Sequence, residues 1–396
     1  MLAPLRLKKN EDRRLRAGHV WIYSNEVDNA ATPLTGFEPG QPVLIEDAAG
    51  KPLGTGYVNP HTLICARLAS RDPKLALDQS LITHRLNIAL GLRERLFAAP
   101  YYRLAFGDSD GLPGLVVDRY GDVLVAQFAT AGIERLKTEV IAALEKVVKP
   151  RAILLRNDGA AREPEGLESY VEPVLGSVPE QVGLVEEDLR FQVPVREGQK
   201  TGWFYDQRMN RARLRQYVAG KRVLDVFSYL GAWGLHAAAA GAADVLCVDS
   251  SARAVEWARD NARDNDLGAR VAFETGDAFE VLKRLRAERE HFDVVVLDPP
   301  AFIKRKKDFR EGSQAYRRLN QMAMQVLAKD GLLVSASCSY HLGADDLREI
   351  LLAGSRHVDR FLQILEQGHQ APDHPVHPAI AETAYLKVFF ARVLPN

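Results

Sequence analysis

From about residue 196 the chain alternates between strand-like apolar runs and helical segments, and this alternation restricts the possible folds more than any other feature. Strands that alternate with helices are typical of a parallel, doubly wound sheet. We predict strands at residues 222–227, 245–249, 271–275, 292–298 and 332–337, with helices at 252–265 and 314–328. The run 384–393 has no helix after it, which predicts an antiparallel edge strand.

The first 195 residues have a different pattern. Residues 1–72 contain short apolar runs separated by Gly, Pro and Asn, which predicts a small β-rich domain. We predict that residues 73–195 form a central α+β domain and that residues 196–396 form a third domain. The central elements are helices at 75–96 and 133–148, strands at 115–119, 123–128 and 152–156, and a hairpin within 184–195. Residues 157–182 are rich in Gly, Pro and Glu and predict a loop.

Composition narrows the class of protein. The 396 residues contain 52 Lys plus Arg and 52 Asp plus Glu, so bulk charge does not favour coating of nucleic acid. Three cysteines do not make a disulfide framework, which favours a reducing compartment. The N-terminus lacks a signal-peptide core, and no apolar window approaches the length of a membrane span. We therefore expect a soluble cytoplasmic protein without a metal, either a monomer or a homodimer.

Acidic residues near the ends of three successive predicted strands indicate a ligand site. Asp225 lies in the first strand, Asp249 closes the second, and Asp277 follows the third. Asp249 can accept both hydroxyls of a ribose, and Asp277 an adenine amino group. The loop after the first strand has Gly231 and Gly234 in a G-x-x-G pattern rather than G-x-G-x-x-G. A ligand without a pyrophosphate, such as S-adenosylmethionine, fits this loop, although glycines that only pack a helix on a strand would also explain it.

Asp298 and Cys338 end the fourth and fifth predicted strands, which are expected to be neighbours in the sheet. Two prolines directly after Asp298 fix a rigid turn. A thiolate that adds to carbon 6 of a cytosine makes carbon 5 nucleophilic enough to attack a methyl group, and cysteine suits this task. Asp298 is placed to hold N3 of the base. The alternative for Cys338 is a small buried hydrophobe, which is how Cys65 and Cys247 are interpreted.

Two basic segments are candidate RNA-binding sites, because phosphates are bound by Lys and Arg. Solvated surface charge is the alternative for both. The candidate residues are Lys8, Lys9, Arg13 and Arg14 near the N-terminus, and Lys304, Arg305, Lys306 and Lys307 after the Asp-Pro-Pro motif.

Taken together, these motifs resemble the RlmI-type family of RNA 5-methylcytosine methyltransferases, which act on 23S ribosomal RNA. Residues 19–25 (HVWIYSN) are similar to the family's N-terminal PUA domain, an RNA-binding β-barrel, and residues 107–114 to the start of its central domain. Residues 198–208 (GQKTGWFYDQR) are similar to the segment that enters the methyltransferase domain and covers the cofactor. The resemblance extends over essentially the whole chain.

The resemblance implies a class I methyltransferase domain of Rossmann-like α/β fold, S-adenosylmethionine as cofactor and large-subunit ribosomal RNA as partner. It also implies that Cys338 is the nucleophile. Asp298 is the second predicted catalytic residue, because of its position beside the base. The implied cofactor-binding residues are Thr201, Gly202, Asp225, Phe227, Ser228, Gly231, Asp249, Ser250, Asp277, Ala278 and Asp298.

The chain departs from many RNA cytosine methyltransferases at one position. A second cysteine follows the proline of the fourth-strand motif in those enzymes, whereas Pro300 or Ala301 stands there in this chain. The group that removes the carbon 5 proton is therefore open, with Asp298 or a water molecule as candidates. Two other functions also remain open: methylation of an amino group in RNA with a structural Cys338, and a non-catalytic RNA-binding role.

Overall fold

The computed structural model describes residues 2–396, and the chain divides into two compact units. The first comprises Met1–Leu184, Val193–Tyr205 and Pro372–Thr383, and the second Val185–Gln192, Asp206–Ala371 and Ala384–Asn396. Within the described residues, the strands form sheets of five, five, two and seven strands. No helix in this part of the chain is long and apolar enough to cross a membrane.

The N-terminal sheet of the first unit has the order β1-β3-β4-β5-β2. Its elements are β1 (Ala3–Arg6), α1 (Arg13–Arg16), β2 (Trp21–Ile22), β3 (Gln41–Glu46), β4 (Pro52–Val58) and β5 (Ala66–Ser70). The core of this sheet is formed by fully buried aliphatic side chains such as Leu5, Val43, Ile45 and Val58. The predicted β-rich N-terminal region is therefore present.

The second sheet of the first unit has the order β10-β9-β8-β7-β6, in which only the pairing of β8 with β9 is parallel. Its elements are α2 (Gln79–Leu96), β6 (Tyr101–Phe106), β7 (Leu115–Tyr120), β8 (Val123–Phe128), α3 (Ala131–Arg135), α4 (Lys137–Val148), β9 (Ala152–Asn157) and β10 (Tyr170–Leu175). A hairpin of β11 (Val182–Glu186) and β12 (Leu189–Val193) follows and confirms the predicted one.

Three predictions for this region were wrong in detail. Helix α2 begins at Gln79 rather than at residue 75, because the side chain of Asp78 accepts a hydrogen bond from the backbone of Leu81 and caps the helix. The helix predicted at 133–148 is broken at Leu136 into α3 and α4. Residues 157–182 are not all loop, since they include β10, an edge strand whose Pro173 hid it among turn residues.

The large sheet of the second unit has the order β15-β14-β13-β16-β17-β19-β18. Its strands are β13 (Arg222–Val226), β14 (Asp244–Asp249), β15 (Val271–Thr275), β16 (Phe292–Leu297), β17 (Leu327–Ser337), β18 (Arg360–Gly368) and β19 (Lys387–Pro395). The helices are α5 (Arg208–Leu214), α6 (Ala232–Ala239), α7 (Ala252–Asp264), α8 (Ala278–Ala287), α9 (Phe309–Val326) and α10 (Ala344–His357). The strands from β13 to β17 pair in parallel, which confirms the doubly wound α/β fold.

The position predicted for the last strand was wrong. β19 is antiparallel as expected, but it lies between β17 and β18, so β18 forms the edge. Val388, Phe389 and Phe390 in β19 are almost fully buried, as is usual for a strand covered on both faces. β18 instead leaves Phe361 and Leu365 about half exposed, which suits an edge strand.

Gly234 brings helix α6 into close contact with strand β14. A Cβ atom at this position would lie 2.3 Å from Cys247 Sγ, well inside van der Waals contact. We predict that Gly234→Ala lowers the free energy of unfolding by about 1–3 kcal/mol, because a well-packed core does not absorb an added methyl group. Chemical denaturation measures this loss.

Two companion variants test whether contact with Cys247 causes the loss of stability in Gly234→Ala. Gly268→Ala is the control in the same unit, because its Cβ atom would meet no heavy atom within 4 Å. Cys247→Ala removes the sulfur that the new methyl group would strike, so Gly234→Ala should cost less in that background. Equal costs in both backgrounds would contradict the proposed contact.

Candidate active site

The carboxyl ends of the parallel strands meet at one edge of the large sheet. β13 pairs with β14 on one side and with β16 on the other, so the strand order reverses between β13 and β16. In open α/β sheets, ligands bind at this switch point. Asp225 lies near the end of β13, Asp249 ends β14, Asp298 follows β16, and Cys338 follows β17. β16 and β17 are neighbours, as predicted, so Asp298 and Cys338 lie at the same edge.

The loop between β13 and α6 has a strained and well-anchored backbone. Phe227 and Tyr229 have positive φ angles of 67° and 49°, and Gly231 has a φ of 76°. Such a conformation costs on the order of 1–3 kcal/mol for each residue other than glycine. Asp249 stabilises the loop, because its Oδ2 accepts a 2.9 Å hydrogen bond from the backbone nitrogen of Tyr229. The loop is thus held in one shape before any ligand arrives.

Two buried oxygens at this loop have the properties of a ligand site. Oδ2 of Asp225 accepts a 2.9 Å bond from the backbone nitrogen of Gly234. Asp225 Oδ1 and Ser228 Oγ are buried without a hydrogen-bond partner within residues 2–396. Unsatisfied buried polar atoms are costly, so they indicate a missing donor. The amino and hydroxyl groups of S-adenosylmethionine are donors of the required kind, and the site therefore fits this cofactor.

Burial of Asp225 raises the pKa of its carboxyl group to about 7, and the charges of Asp298 and Asp249 add to the effect. A ligand that carries positive charge would reverse this destabilisation of the ionised form.

Asp249 at the end of β14 and Asp277 after β15 differ in their exposure to solvent. Asp249 is 9% exposed and accepts one backbone bond on each carboxylate oxygen, from Tyr229 and Ser251, which leaves acceptor capacity for ribose hydroxyls. Asp277 is exposed, and its Oδ1 caps α8 by accepting from the nitrogens of residues 279 and 280. Ala278 is the buried first residue of α8, and Ser250 is exposed.

Asp298 is fixed by two side chains of the second unit. Trp233 Nε1 donates to its Oδ2 at 3.0 Å, and Gln207 Nε2 donates to its Oδ1 at 2.9 Å. Burial and the nearby charge of Asp206 raise the pKa of Asp298 to about 6, although the two hydrogen bonds oppose the shift. A carboxyl group with a pKa near neutrality can exchange a proton during a reaction at physiological pH.

A buried cation partly compensates for these carboxylates. Arg211 forms a bidentate ion pair with Glu186, with N–O distances of 2.6 and 2.7 Å. The same guanidinium lowers the pKa of both Asp225 and Asp298, although burial dominates at each. Sequence reasoning missed Arg211, Trp233 and Gln207. Gln207 and Trp233 stand within motifs already quoted, whereas Arg211 has no local signal.

Cys338 is presented by an ordered Ser-Cys-Ser segment. Ser337 and Ser339 are buried, and the hydroxyl of Tyr316 in α9 lies 3.0 Å from Ser337 Oγ and 2.9 Å from Ser339 Oγ. Cys338 between them is partly exposed, whereas Cys65 and Cys247 are buried as predicted. Burial raises the pKa of Cys65 to about 12 and that of Cys247 well above its usual value, which leaves those two thiols inert.

Two predicted cofactor residues belong to the first unit and have packing roles there. The hydroxyl of buried Thr201 donates to Asp118, and its carbonyl accepts from Tyr120 at 3.2 Å. Gly202 has a φ of 115°, and a Cβ atom there would lie 2.7 Å from a methyl group of Val193. Contact of Thr201 and Gly202 with the cofactor stays a prediction.

The basic segments are mostly exposed. Lys304, Arg305, Lys306 and Lys307 are all solvent-accessible, and Arg305 pairs with Asp308 at 3.2 Å. Lys8, Lys9 and Arg13 are also exposed. Arg14 is half-buried and pairs with Glu26 at 2.9 Å, so its charge is partly committed within the protein.

Comparison with known proteins identifies the families to which the parts of the chain belong. Residues 162–390 match the model of the S-adenosylmethionine-dependent methyltransferase family, and residues 5–71 match that of the PUA-like domain. A methyltransferase solved in complex with S-adenosylhomocysteine superposes with a TM-score of 0.85 at 23% identity, covering 99% of this chain and 100% of that one. This likeness establishes the fold. The match of the family model to more than half of the chain shows that the protein is an S-adenosylmethionine-dependent methyltransferase.

Curated relatives define the family more narrowly. The ribosomal RNA large subunit methyltransferase I of Erwinia tasmaniensis is 36% identical over 400 residues, with both chains covered completely. The protein of the same name from Escherichia coli is 36% identical over 399 residues, again with both chains covered completely. The chain belongs to the ribosomal RNA large subunit methyltransferase I family.

We predict that Asp249→Asn weakens the binding of S-adenosylmethionine about tenfold or more, because hydrogen bonds to a charged acceptor contribute about 1.5–3 kcal/mol. Isothermal titration calorimetry measures the affinity. Asp264→Asn removes an exposed carboxylate at the end of α7 and is the matched control. Equal affinity of Asp249→Asn and the control would rule out the ribose contact.

The raised pKa of Asp225 predicts a pH-dependent effect on stability. The folded-state pKa of about 7 lies above the unfolded value of about 3.9, so the wild-type protein loses stability as the pH rises through this window. Asp225→Asn does not titrate, and its free energy of unfolding relative to wild type should rise between pH 4.5 and 7.5 by about 3 kcal/mol. Denaturation at several pH values tests this, and a pH-independent difference would contradict it.

Proposed function

We propose that this protein methylates carbon 5 of a cytosine in large-subunit ribosomal RNA through a covalent bond to Cys338. The observation that carries the proposal is that Cys338 and Asp298 lie at the carboxyl ends of neighbouring strands, beside the site that fits S-adenosylmethionine. The names of the relatives from Erwinia tasmaniensis and Escherichia coli support a large-subunit ribosomal RNA substrate. Resemblance of the motifs to RNA 5-methylcytosine methyltransferases supports the choice of base.

Each residue has a defined part in the proposed reaction. The thiolate of Cys338 forms a bond to carbon 6, and the electrons of the C5–C6 double bond make carbon 5 nucleophilic. S-adenosylmethionine supplies the electrophilic methyl group, which carbon 5 takes as the bond from sulfur to methyl breaks. Loss of the carbon 5 proton to a base and cleavage of the bond between Cys338 and carbon 6 then restore the double bond and the thiolate.

Asp298 is the proposed proton carrier of this reaction. Its pKa of about 6 lies close enough to neutrality for it to hold a proton toward N3 of the base or to accept one from carbon 5. The hydrogen bonds from Trp233 and Gln207 fix its orientation. This dual role would replace the second cysteine of other cytosine methyltransferases, in whose place Pro300 or Ala301 stands.

The remaining parts of the chain are assigned to holding RNA. Residues 1–72, which include the PUA-like match, are the proposed RNA-binding domain, 73–195 the central domain and 196–396 the methyltransferase domain. The exposed basic residues Lys304–Lys307 lie shortly after Asp298 in the chain and are proposed to bind phosphates near the target base, which would be flipped out of its helix. We assign the activity to the cytoplasm, where ribosomal RNA is modified.

We predict that Cys338→Ala abolishes 5-methylcytosine formation in large-subunit RNA, because no other reactive thiol is exposed among residues 2–396. Mass spectrometry of nucleosides, after incubation of the protein with S-adenosylmethionine and unmodified RNA, measures the product. Cys65→Ala is the control, since Cys65 is buried and its pKa is raised to about 12. Formation of an N-methylated nucleoside instead would establish the alternative amino-group reaction.

RNA that carries 5-fluorocytosine tests the covalent step directly. Fluorine at carbon 5 cannot leave as a proton does, so the adduct should remain attached to the wild-type protein and to Cys65→Ala. Cys338→Ala should form none. Denaturing gel electrophoresis detects the cross-link, and its absence from a protein that still produces 5-methylcytosine would contradict covalent catalysis.

A further inference from the structure

Lys387 is one of two cations in strand β19, and it lies close to Cys338. The other cation, Arg392, pairs with Asp330, whereas Lys387 is buried. Lys387 is the first residue of β19 and pairs in register with Ser337, which ends β17 directly before Cys338. Its side chain is buried, with 7% of the residue exposed. Burial of an ammonium group is costly unless its charge is compensated, so the position requires an explanation.

Two backbone carbonyls hold the ammonium group in place. Nζ of Lys387 donates to the carbonyl oxygen of Ser339 at 2.6 Å and to that of Tyr385 at 2.8 Å. Ser339 directly follows Cys338, so the first of these bonds ties the lysine to the Ser-Cys-Ser segment. Neutral carbonyls satisfy donor groups, but they do not neutralise the charge.

Two negative charges, those of Cys338 and Asp346, act on this ammonium group. Burial lowers the pKa of Lys387 to about 8, and the negative charges of Cys338 and Asp346 oppose that shift. Lys387 therefore remains mainly an ammonium at neutral pH. The titratable groups that act on the pair from neighbouring elements are Asp346 of α10 and Tyr316 of α9, whose pKa is raised by burial and also by the charge of Cys338.

We propose that Lys387 is a positioning residue whose ammonium group stabilises the thiolate of Cys338. The thiol proton passes to solvent, the lysine keeps its three protons, and an ion pair forms beside the two carbonyls. A cysteine next to a lysine is commonly ionised near neutral pH, when an isolated thiol is not. The inference deepens the proposed function, because it explains how the nucleophile is prepared, but the ion pair itself is a property of the protein without RNA.

The test is the rate at which iodoacetamide alkylates Cys338 in the full chain between pH 5.5 and 9. Peptide mass spectrometry reads Cys338 separately from Cys65 and Cys247. In Lys387→Met, the midpoint of the rate profile should rise by about one pH unit and alkylation at pH 7 should slow about tenfold. Lys387→Arg retains the charge and should restore most of the wild-type rate. Lys329→Met removes an exposed lysine from the same β17 region and should behave as wild type.

Each outcome bears on the proposal. An unchanged midpoint in Lys387→Met overturns it, because loss of packing alone alters access to Cys338 but not its ionisation. Rapid alkylation of buried Cys65 and Cys247 would reveal unfolding of that variant. In that case Lys387→Gln replaces Lys387→Met, because its amide keeps a hydrogen-bond donor for the two carbonyls but carries no charge. The midpoint of its alkylation profile then tests the proposal in the same way.

The proposed function can fail independently. A shifted midpoint with N-methylated product would leave the ion pair intact and reject cytosine-C5 chemistry. An unshifted midpoint with normal 5-methylcytosine would reject only the role of Lys387.

Discussion

Several carboxylates crowd the carboxyl ends of neighbouring strands, and the electrostatics of the whole site depend on this crowding. Burial disfavours the ionised forms of Asp225 and Asp298, and the nearby charges of Asp298 at Asp225 and of Asp206 at Asp298 add to the effect. Arg211 offers the nearest compensation, but much of its charge is committed to Glu186. The part of this edge around Asp225 and Asp298 therefore has more negative than positive charge. S-adenosylmethionine carries a sulfonium and an ammonium group, and these positive charges complement the carboxylates that the protein's own cations leave uncompensated.

The other half of the site is prepared by hydrogen bonds rather than by charge alone. Tyr316 binds the serines on both sides of Cys338, and Trp233 and Gln207 bind the two oxygens of Asp298. Tyr316, Trp233 and Cys338 itself lie within or directly at the ends of regular elements of the large sheet and its helices. Groups supported in this way keep their orientation without a ligand, which is what a reaction that needs several atoms in line requires.

The sequence predicted those parts of the fold whose pattern is local. The alternation of strands and helices located the strands from β13 to β17, and the acidic strand ends located Asp225, Asp249 and Asp298. The place of β19 between β17 and β18 depends on long-range pairing, which the largely apolar sequence of 384–393 does not reveal. Strand β10 was missed because its proline resembles a turn signal.

The partners of the site residues were harder to predict than the residues themselves. Trp233 and Gln207 are 65 and 91 positions from Asp298 in sequence, and no periodicity links them. Lys387 did leave a signal, since it is a cation directly before the apolar residues Val388, Phe389 and Phe390. Its meaning depended on the antiparallel register with β17, which only the structure shows.

That register has a consequence for the order in which the protein is made. Cys338 is synthesised at the end of β17, whereas its cationic neighbour arrives 49 residues later with β19. A nascent chain that has passed α10 already carries the thiol but not the lysine. On the role proposed for Lys387, the thiol of Cys338 would gain its cationic neighbour only when β19 pairs with β17, so preparation of the nucleophile would depend on folding of the last strand.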